Sequence, residues 1–312
     1  MKPTCYALFS GGLDSRLVLK IMQDQSEREK KFRIVALTFK FPFGSGCCQS
    51  DCSFNFTQTQ GIEHRIIDCT QGTLFKKYLK TVQKPKFGHG SGINPCIDCR
   101  IFILNETKKL LKNKKDFIVT GEVLGERPMS QHRKAMETID KETELKGKIL
   151  RPLSAKLLEQ TIPEKQGLID SSKLFDLSGR SRKPQMELAN HYKIDYPTPA
   201  GGCLLCEQVF AERLHDLFKR KEVSKITPRD IQLLRIGRHF LFPDYDIIVG
   251  RKHDENVLLE NLKDKKTEKL FMLISQPGPS VLLQGKITKE STEKAKELLL
   301  EYSKNKEEIV EK

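Results

Sequence analysis

The sequence predicts an α/β protein in which a parallel sheet is covered on both faces, followed by a small α+β domain. Three observations predict it. Short apolar runs rich in β-formers alternate with helix-like stretches through residue 220. A Gly-Gly turn joins the first run to the first helix. Beyond residue 229 the alternation gives way to short strands, charged turns and a closing helix.

The elements follow in order. Residues 4–9, Thr-Cys-Tyr-Ala-Leu-Phe, read as a buried strand, and a helix from Ser15 to Met22 follows the glycines. Further strands fall at Arg33–Phe39, His64–Cys69, Asp116–Val123 and Ile149–Leu153, with helices at Phe75–Val82 and Ile101–Leu111 between them. Thr161-Ile-Pro-Glu164 fits a capping box with an early proline. Ser181–His191 and Glu207–Lys219 read as helices, separated by a rigid loop from Tyr196 to Cys203. The charged stretch 219–229 reads as a linker, so the domains are expected at 1–222 and 226–312. In the second, 238–242, 247–251 and 270–274 read as strands and Lys289–Ser303 as a helix. Ligands of such a parallel sheet bind beyond the C-terminal strand ends, where the Gly-Gly turn and Thr120-Gly121-Glu122 both fall.

The bulk numbers narrow the class. A chain of 312 residues with 38% hydrophobic content can bury a core. It carries no secretory signal and no run near the roughly 20 apolar residues of a membrane helix, so a soluble cytoplasmic protein with no membrane partner is expected. Nine cysteines without a signal argue against a disulfide framework and for metal, cluster or redox chemistry. The net charge of +14 is uneven: residues 221–312 hold 18 Lys/Arg against 16 Asp/Glu, and the first 220 hold 37 against 25. That excess on the sheet domain suits a polyanion such as RNA, or else a lysine-rich solvated surface.

Ser10-Gly11-Gly12-Leu13-Asp14-Ser15, between a strand and a helix, is a phosphate cradle. The glycines let the backbone turn tightly against an anion, and the helix-start N–H groups point at it. The Ser10 and Ser15 hydroxyls add donors, while Asp14 beside phosphates calls for Mg²⁺ or a substrate donor. No Gly-Lys-Ser/Thr follows, so the loop is not of the Walker type. It resembles the loop of the ATP-pyrophosphatase superfamily, whose members cleave ATP between the α- and β-phosphates.

The cysteines fall into groups. Cys96 and Cys99, in Asn94-Pro-Cys-Ile-Asp-Cys, stand three apart at a helix start that would lower their pKa values. Cys203 and Cys206, in Gly201-Gly-Cys-Leu-Leu-Cys, repeat the spacing. The four could bind structural zinc; three could hold an iron–sulfur cluster with one open iron; or Cys99 and Cys203 could act as nucleophile and persulfide carrier. Cys5 and Cys69 read as buried small hydrophobes. Cys47, Cys48 and Cys52, in a Gly/Ser-rich loop, read equally as extra ligands or exposed thiols. His89, His132 and His239 are assigned no role.

Together, residues 10–15, 94–99, 120–131, 149–155, 179–185 and 200–205 resemble the tRNA-thiolating branch of the ATP-pyrophosphatase (PP-loop) superfamily, in its 2-thiouridylase-like or 4-thiouridine-synthase-like group. The resemblance spans residues 4–220, without the ferredoxin-like and THUMP domains typical of standard 4-thiouridine synthases. It implies a Rossmann-like sheet of the adenine nucleotide alpha hydrolase type. It also implies that Ser10 to Ser15 bind ATP phosphates with Asp14 near Mg²⁺, that Thr38 borders the adenine, and that Gly121 lines the ATP site. Cys96, Cys99 and Cys203 are the positions that ligate a 4Fe–4S centre in cluster-containing relatives; relatives without a cluster have Asp at the Cys96 position. Cys206 would be a spare or a fourth ligand. Asp14, Cys99 and Cys203 would be catalytic. Residues 238–303 separately resemble the RNA-binding module of ribosome-quality-control factors, through Ile248-Val-Gly-Arg with Asn256, Pro277-Gly-Pro-Ser280 and a helix ending Tyr302-Ser-Lys.

The implied reaction is tRNA thiolation. A uridine carbonyl oxygen attacks the ATP α-phosphorus, pyrophosphate leaves, and sulfur then displaces AMP. Arg127, Arg151, Arg180 and Arg182 are candidate phosphate cations. The sulfur donor would be sulfide or a persulfide carrier, and a homodimer is allowed. Two rivals stand: another adenylating enzyme forming an amide or nitrile, and a non-catalytic RNA-binding protein with a zinc knot of the four paired cysteines.

Overall fold

The run Thr-Cys-Tyr-Ala-Leu forms the central strand of the first sheet in the computed structural model, which describes residues 2–29, 31–44, 50–198, 203–274, 277–303 and 309–311. From the N-terminus the elements are β1 (Thr4–Leu8), α1 (Leu13–Glu29), β2 (Arg33–Lys40), α2 (Ser50–Thr59), β3 (Glu63–Asp68), α3 (Gly72–Gln83), α4 (Cys96–Lys108), β4 (Phe117–Val119), α5 (Arg133–Glu142), β5 (Ile149–Leu150), α6 (Ile162–Lys165), α7 (Lys183–His191) and α8 (Gln208–Arg220). The strands pair in parallel in the order β3-β2-β1-β4-β5. Ala7 of β1 is level with Ala36 of β2 and with Val119 of β4.

Successive side chains of a strand point to opposite faces, so a sheet covered twice needs uninterrupted apolar strands. β4 is such a strand. Val119 joins the cluster built on Leu13, Leu17, Val18, Ile21 and Met22 of α1. Ile118 joins Leu104 of α4 and Ile139 of α5. The α1 positions repeat at helical spacing, which gives one apolar face; burial of each such side chain contributes about 2 kcal/mol. The chain steps outward from β1 to β2 and β3, then returns to the other side of β1 with β4. The loops leaving β1 and β4 therefore flank the point where strand order reverses.

The remaining elements are α9 (Pro228–Leu233), β6 (Arg238–Leu241), β7 (Tyr245–Val249), α10 (His253–Leu262), β8 (Lys269–Leu273), β9 (Val281–Gly285), α11 (Lys289–Glu301) and β10 (Ile309–Glu311). Their antiparallel sheet runs β10-β8-β9-β7-β6. Ile247 and Val249 pack toward Ala295, Leu298 and Leu299 of α11, while Ile248 packs with Leu233 of α9 and Leu259 of α10. The chain thus falls into two units, Met1–Lys225 and Ile226–Lys312.

Several elements differ from the sequence reading. α1 continues to Glu29, and α4 begins at Cys96 itself. β4 and β5 are shorter than expected because the chain turns away after Val119 and Leu150. The stretch read as a linker ends in α9, whose Thr227 side chain accepts from the Asp230 N–H in a capping box. α2, α5, α10, β9 and β10 lie where no element was expected. Cys52 stands in α2 rather than in a loop, and Cys47 and Cys48 lie outside the described residues. The capping box at Thr161 is present and starts the single turn of α6. Among the described residues no helix is long and apolar enough to cross a membrane.

Candidate functional site

The loop after β1 is braced from within. Gly11 sits at φ 80°, a left-handed conformation that suits glycine. The Ser15 hydroxyl donates to Gly12 O at 2.9 Å and lies 3.2 Å from the Ser10 hydroxyl. Arg16, only 4% exposed, donates from Nε to Gly11 O at 2.7 Å and from Nη1 to Asp195 O at 2.7 Å. Its guanidinium also covers the Phe56 ring at 4.7 Å. Sequence reasoning passed over Arg16; the available signal was a charge among the apolar positions of α1.

Gly121, just beyond β4, closes the other side of the loop. A Cβ there would lie 2.9 Å from Asp14 C and 2.9 Å from Ser15 N. The β4 loop thus packs backbone to backbone against the phosphate loop at the reversal point of the sheet. Thr38, at the end of β2, donates its hydroxyl to Phe9 O at 2.8 Å and lies 2.8 Å from His64 Nε2.

Unsatisfied polar atoms gather around Asp14. Asp14 Oδ1, Glu126 Oε2, Arg182 Nε and both amide atoms of Gln185 are buried without a hydrogen-bond partner. Burial raises the Asp14 carboxyl above its ordinary value, against the pull of Arg182, Arg127 and, more weakly, the Gln185 amide. Gln185 is 1% exposed and acts on Asp14 without reaching bonding geometry. Burial raises Glu126 too, and the Asp14 charge adds to it. Arg182 Nη2 stands 4.0 Å from Asp14 Oδ2. Buried polar atoms are normally paired, so orphaned acceptors and donors at one place fit a polar ligand bringing both kinds of partner. The two carboxylates fit a cation such as Mg²⁺, and Arg182 with Gln185 fits phosphate oxygens.

Of the four candidate arginines, Arg182 and Arg127 act on Asp14, and Arg180 is exposed. Arg151 is a correction. It is 4% exposed and donates to Glu122 Oε2 at 3.0 Å and to Asp140 Oδ1 and Oδ2 at 2.7 and 3.1 Å. Its charge is committed inside the fold. Glu122 also holds Arg100 Nε at 3.2 Å and accepts from the Thr120 hydroxyl at 3.0 Å. Burial alone would raise the Glu122 carboxyl, but the Arg100 and Arg151 charges outweigh it and the carboxyl is lowered. The histidines are engaged locally: His132 Nδ1 accepts from Ala135 N, His89 Nε2 meets Val82 O, and His239 Nε2 meets Ile236 O.

The two cysteine pairs come together. Ile93 N donates to Leu205 O at 2.8 Å, and a Cβ on Gly92 would lie 2.4 Å from that same oxygen. Cys96 opens α4, and Cys203 precedes a one-turn helix over Leu204–Cys206. The Cys203 thiol senses Cys99, Cys206 and Cys96, in that order. The expected helix-start lowering of Cys99 is overturned. Burial raises its thiol, and the Tyr78 hydroxyl and Arg100 only partly offset that. Burial likewise pushes Cys203 up to about 12. For Cys99, lost hydration outweighs the Tyr78 hydroxyl and the Arg100 charge. Cys5 and Cys69 are fully buried, as expected, and Cys206 is exposed.

Among the described residues no three or more His, Cys, Asp and Glu side chains stand ready to hold a metal ion. Residues 199–202, including the glycines before Cys203, lie outside the described residues. Cys96, Cys99 and Cys203 nonetheless offer soft sulfur donors, a set that fits zinc or an iron–sulfur centre once metal binding deprotonates them.

Known proteins place one part of the chain directly. Residues 237–311 match the NFACT protein RNA binding domain. This NFACT-type module holds Gly250, where a Cβ would lie 2.1 Å from Asn256 Oδ1. Asn256 in turn donates to Gly278 O at 2.9 Å and accepts from Ser280 N at 3.0 Å. The Gly-Arg, Asn and Pro-Gly-Pro-Ser features noted in the sequence are thus one hydrogen-bonded unit. No curated protein matches the chain. Among solved structures, the U34-tRNA thiolase NcsA from Methanococcus maripaludis, with its 4Fe–4S cluster, is similar at 17% identity and TM-score 0.36, over 74% of this chain and 69% of that one. A 4-thiouridine synthetase in complex with RNA and ATP is similar at 15% identity and TM-score 0.39, over 74% of this chain and 52% of that one. The NAD⁺ synthetase of Burkholderia pseudomallei is similar at 12% identity and TM-score 0.34, over 75% of this chain and 80% of that one.

Proposed function

We propose that this protein is an ATP-dependent tRNA thiolase. The observation that carries the reading is a short chain of contacts. Cys99 is followed by Arg100, which pairs with Glu122 at 3.2 Å; Glu122 is followed back by Gly121, which abuts Asp14 and Ser15. A thiol site and a phosphate loop so connected suit a reaction that activates a group with ATP and then replaces it with sulfur.

In this reading the loop from Ser10 to Ser15 binds the ATP phosphates through its amides and hydroxyls. Asp14 and Glu126 would hold Mg²⁺, which offsets phosphate charge when bound. Arg182, Arg127 and the Gln185 amide face the phosphates. A uridine carbonyl oxygen attacks the α-phosphorus, the bond to the β-phosphate breaks, and pyrophosphate leaves with its electron pair. Displacement of AMP by sulfur completes the exchange. Cys96, Cys99 and Cys203 would hold a 4Fe–4S cluster, which could supply a site for sulfide. Sulfide displaces AMP directly; a persulfide carrier can supply the sulfur if a further thiol then attacks the carrier's sulfur, releasing the thionucleoside and leaving a disulfide. The NFACT-type module supports RNA as the molecule activated, and the basic excess of the first 220 residues suits it.

The test is to incubate purified protein anaerobically with ATP, tRNA and sulfide, and to follow pyrophosphate and thionucleosides by mass spectrometry. The expected result is tRNA-dependent pyrophosphate release and a new 2- or 4-thiouridine, both lost in Asp14→Ala. Stoichiometric zinc with no ATP affinity would instead support a non-catalytic RNA-binding protein. Pyrophosphate release with a small amide or nitrile substrate, but not with tRNA, would support another adenylating enzyme.

A further inference from the structure

Two buried polar side chains end on cysteine sulfurs. The Tyr78 hydroxyl lies 3.3 Å from Cys99 Sγ, and Tyr78 is 2% exposed. Its ring is fixed by Phe41 at 4.3 Å and Phe102 at 5.2 Å between centroids. Asn94, 5% exposed, donates from Nδ2 to Cys96 Sγ at 3.2 Å and to Met129 Sδ at 3.7 Å. Its Oδ1 accepts from Gly92 N at 3.1 Å, which fixes the amide orientation and aims Nδ2 at the sulfurs. Space for that amide comes from Gly90, where a Cβ would stand 2.4 Å from Asn94 Nδ2.

A buried phenol or carboxamide needs a good partner, and a neutral thiol is a poor one. A thiolate is a strong acceptor. The Asn94 donor is therefore explained if Cys96 is a thiolate in the working state, and the Tyr78–Cys99 contact, in which either group can donate, takes the phenol as donor if Cys99 is one too. Cys206 is the exposed member of the two pairs, and no hydrogen bond from Tyr78 or Asn94 reaches it among those described.

We infer that Tyr78 and Asn94 are positioning residues that orient and stabilise Cys99 and Cys96 as thiolate ligands, with Cys203 as the third ligand and Cys206 outside the set. The inference rests on the thiolate site of the proposed function but does not depend on the reaction. Hydrogen bonds to a ligand sulfur lower its electron donation to a metal, and loss of such outer partners typically weakens metal binding by about 10- to 100-fold.

Cobalt(II) tests this on the full chain under anaerobic conditions, because thiolate-to-cobalt charge transfer reports each bound sulfur. Wild-type protein should bind cobalt with charge-transfer absorption. Tyr78→Phe, which keeps the ring, and Asn94→Ala should each weaken binding by about ten-fold and move the absorption to longer wavelength. Cys206→Ser should match wild type in affinity and intensity. Wild-type affinity and spectrum in both Tyr78→Phe and Asn94→Ala would overturn the inference. So would lost intensity in Cys206→Ser, or no charge-transfer band in wild type. Protein that shows the cobalt effects but neither releases pyrophosphate nor thiolates tRNA would sink the proposed reaction and leave the positioning roles standing. Full thiolation with unperturbed cobalt spectra would do the reverse.

Discussion

Gly121 leaves no room for a side chain against Ser15: a Cβ at residue 121 would lie 2.9 Å from the Ser15 backbone nitrogen. That nitrogen belongs to the first turn of α1, and the Cβ would meet Asp14 C at the same distance. Neither neighbour is a flexible side-chain tip, so the backbone of one loop must move. In Gly121→Ala, ATP affinity measured by calorimetry should fall at least ten-fold, with circular dichroism unchanged. The strain of such overpacking is typically about 1–3 kcal/mol. Wild-type ATP affinity would show that the loop does not form the nucleotide site.

Asp14 should cost the free protein stability. Burial raises its carboxyl, so its stabilising share is complete below the ordinary carboxylate range and is lost as pH rises through the raised value. Asp14→Asn should therefore melt higher than wild type at pH 7, by about 1–3 °C, with the difference vanishing below about pH 3.5. Scanning calorimetry across that range checks the sign. The same variant should release no pyrophosphate.

Arg151 should behave as a structural cation. It and Glu122 are 4% and 2% exposed, and Asp140 completes the pairing. Removing one partner of a buried pair leaves a charge without compensation, at a cost of about 3–5 kcal/mol. Arg100 still reaches Glu122, which favours the lower end. Arg151→Met should lower the urea midpoint accordingly, and the double variant Arg151→Met with Glu122→Gln should recover part of the loss.

Asn256 should hold the NFACT-type module together through its bonds to Gly278 O and Ser280 N. Asn256→Ala leaves both backbone groups without their partner and should cost about 1–3 kcal/mol. Hydrogen exchange on the full chain should show faster exchange in Val281–Gly285 than in Thr4–Leu8 when variant and wild type are compared.

The parallel sheet was legible because its strands, buried on both faces, are continuous apolar runs, as at Thr4–Leu8 and Arg33–Lys40. α2 and α5 were not, because their sequences are polar and carry a weak or narrow apolar stripe. β10 was missed because a three-residue strand is fixed by its partner rather than by its own pattern, and β9 was passed over although Val281-Leu-Leu is an apolar run like those that were read. Helix-start chemistry suggested a lowered Cys99 thiol, but burial is a property of the surrounding packing and reversed the sign. Arg127, Arg151, Arg180 and Arg182 looked equivalent as letters, and only their neighbours separated a buried structural ion pair from charges near Asp14.

The sequence by itself determined that a glycine-rich phosphate loop follows a buried strand, and that two cysteine pairs with matching spacing occur about a hundred residues apart. Those features are local, since turn geometry and ligand spacing depend on a few adjacent residues. Only the tertiary structure decided that Gly121 closes on the loop, that Glu122 ties Arg100 and Arg151 together, and that Tyr78 and Asn94 point at Cys99 and Cys96. Such relationships join residues far apart in the chain. They are set by how the β1 and β4 loops and α4 pack around the reversal point of the sheet, where burial and neighbouring charge, not residue type, fix what each group can do.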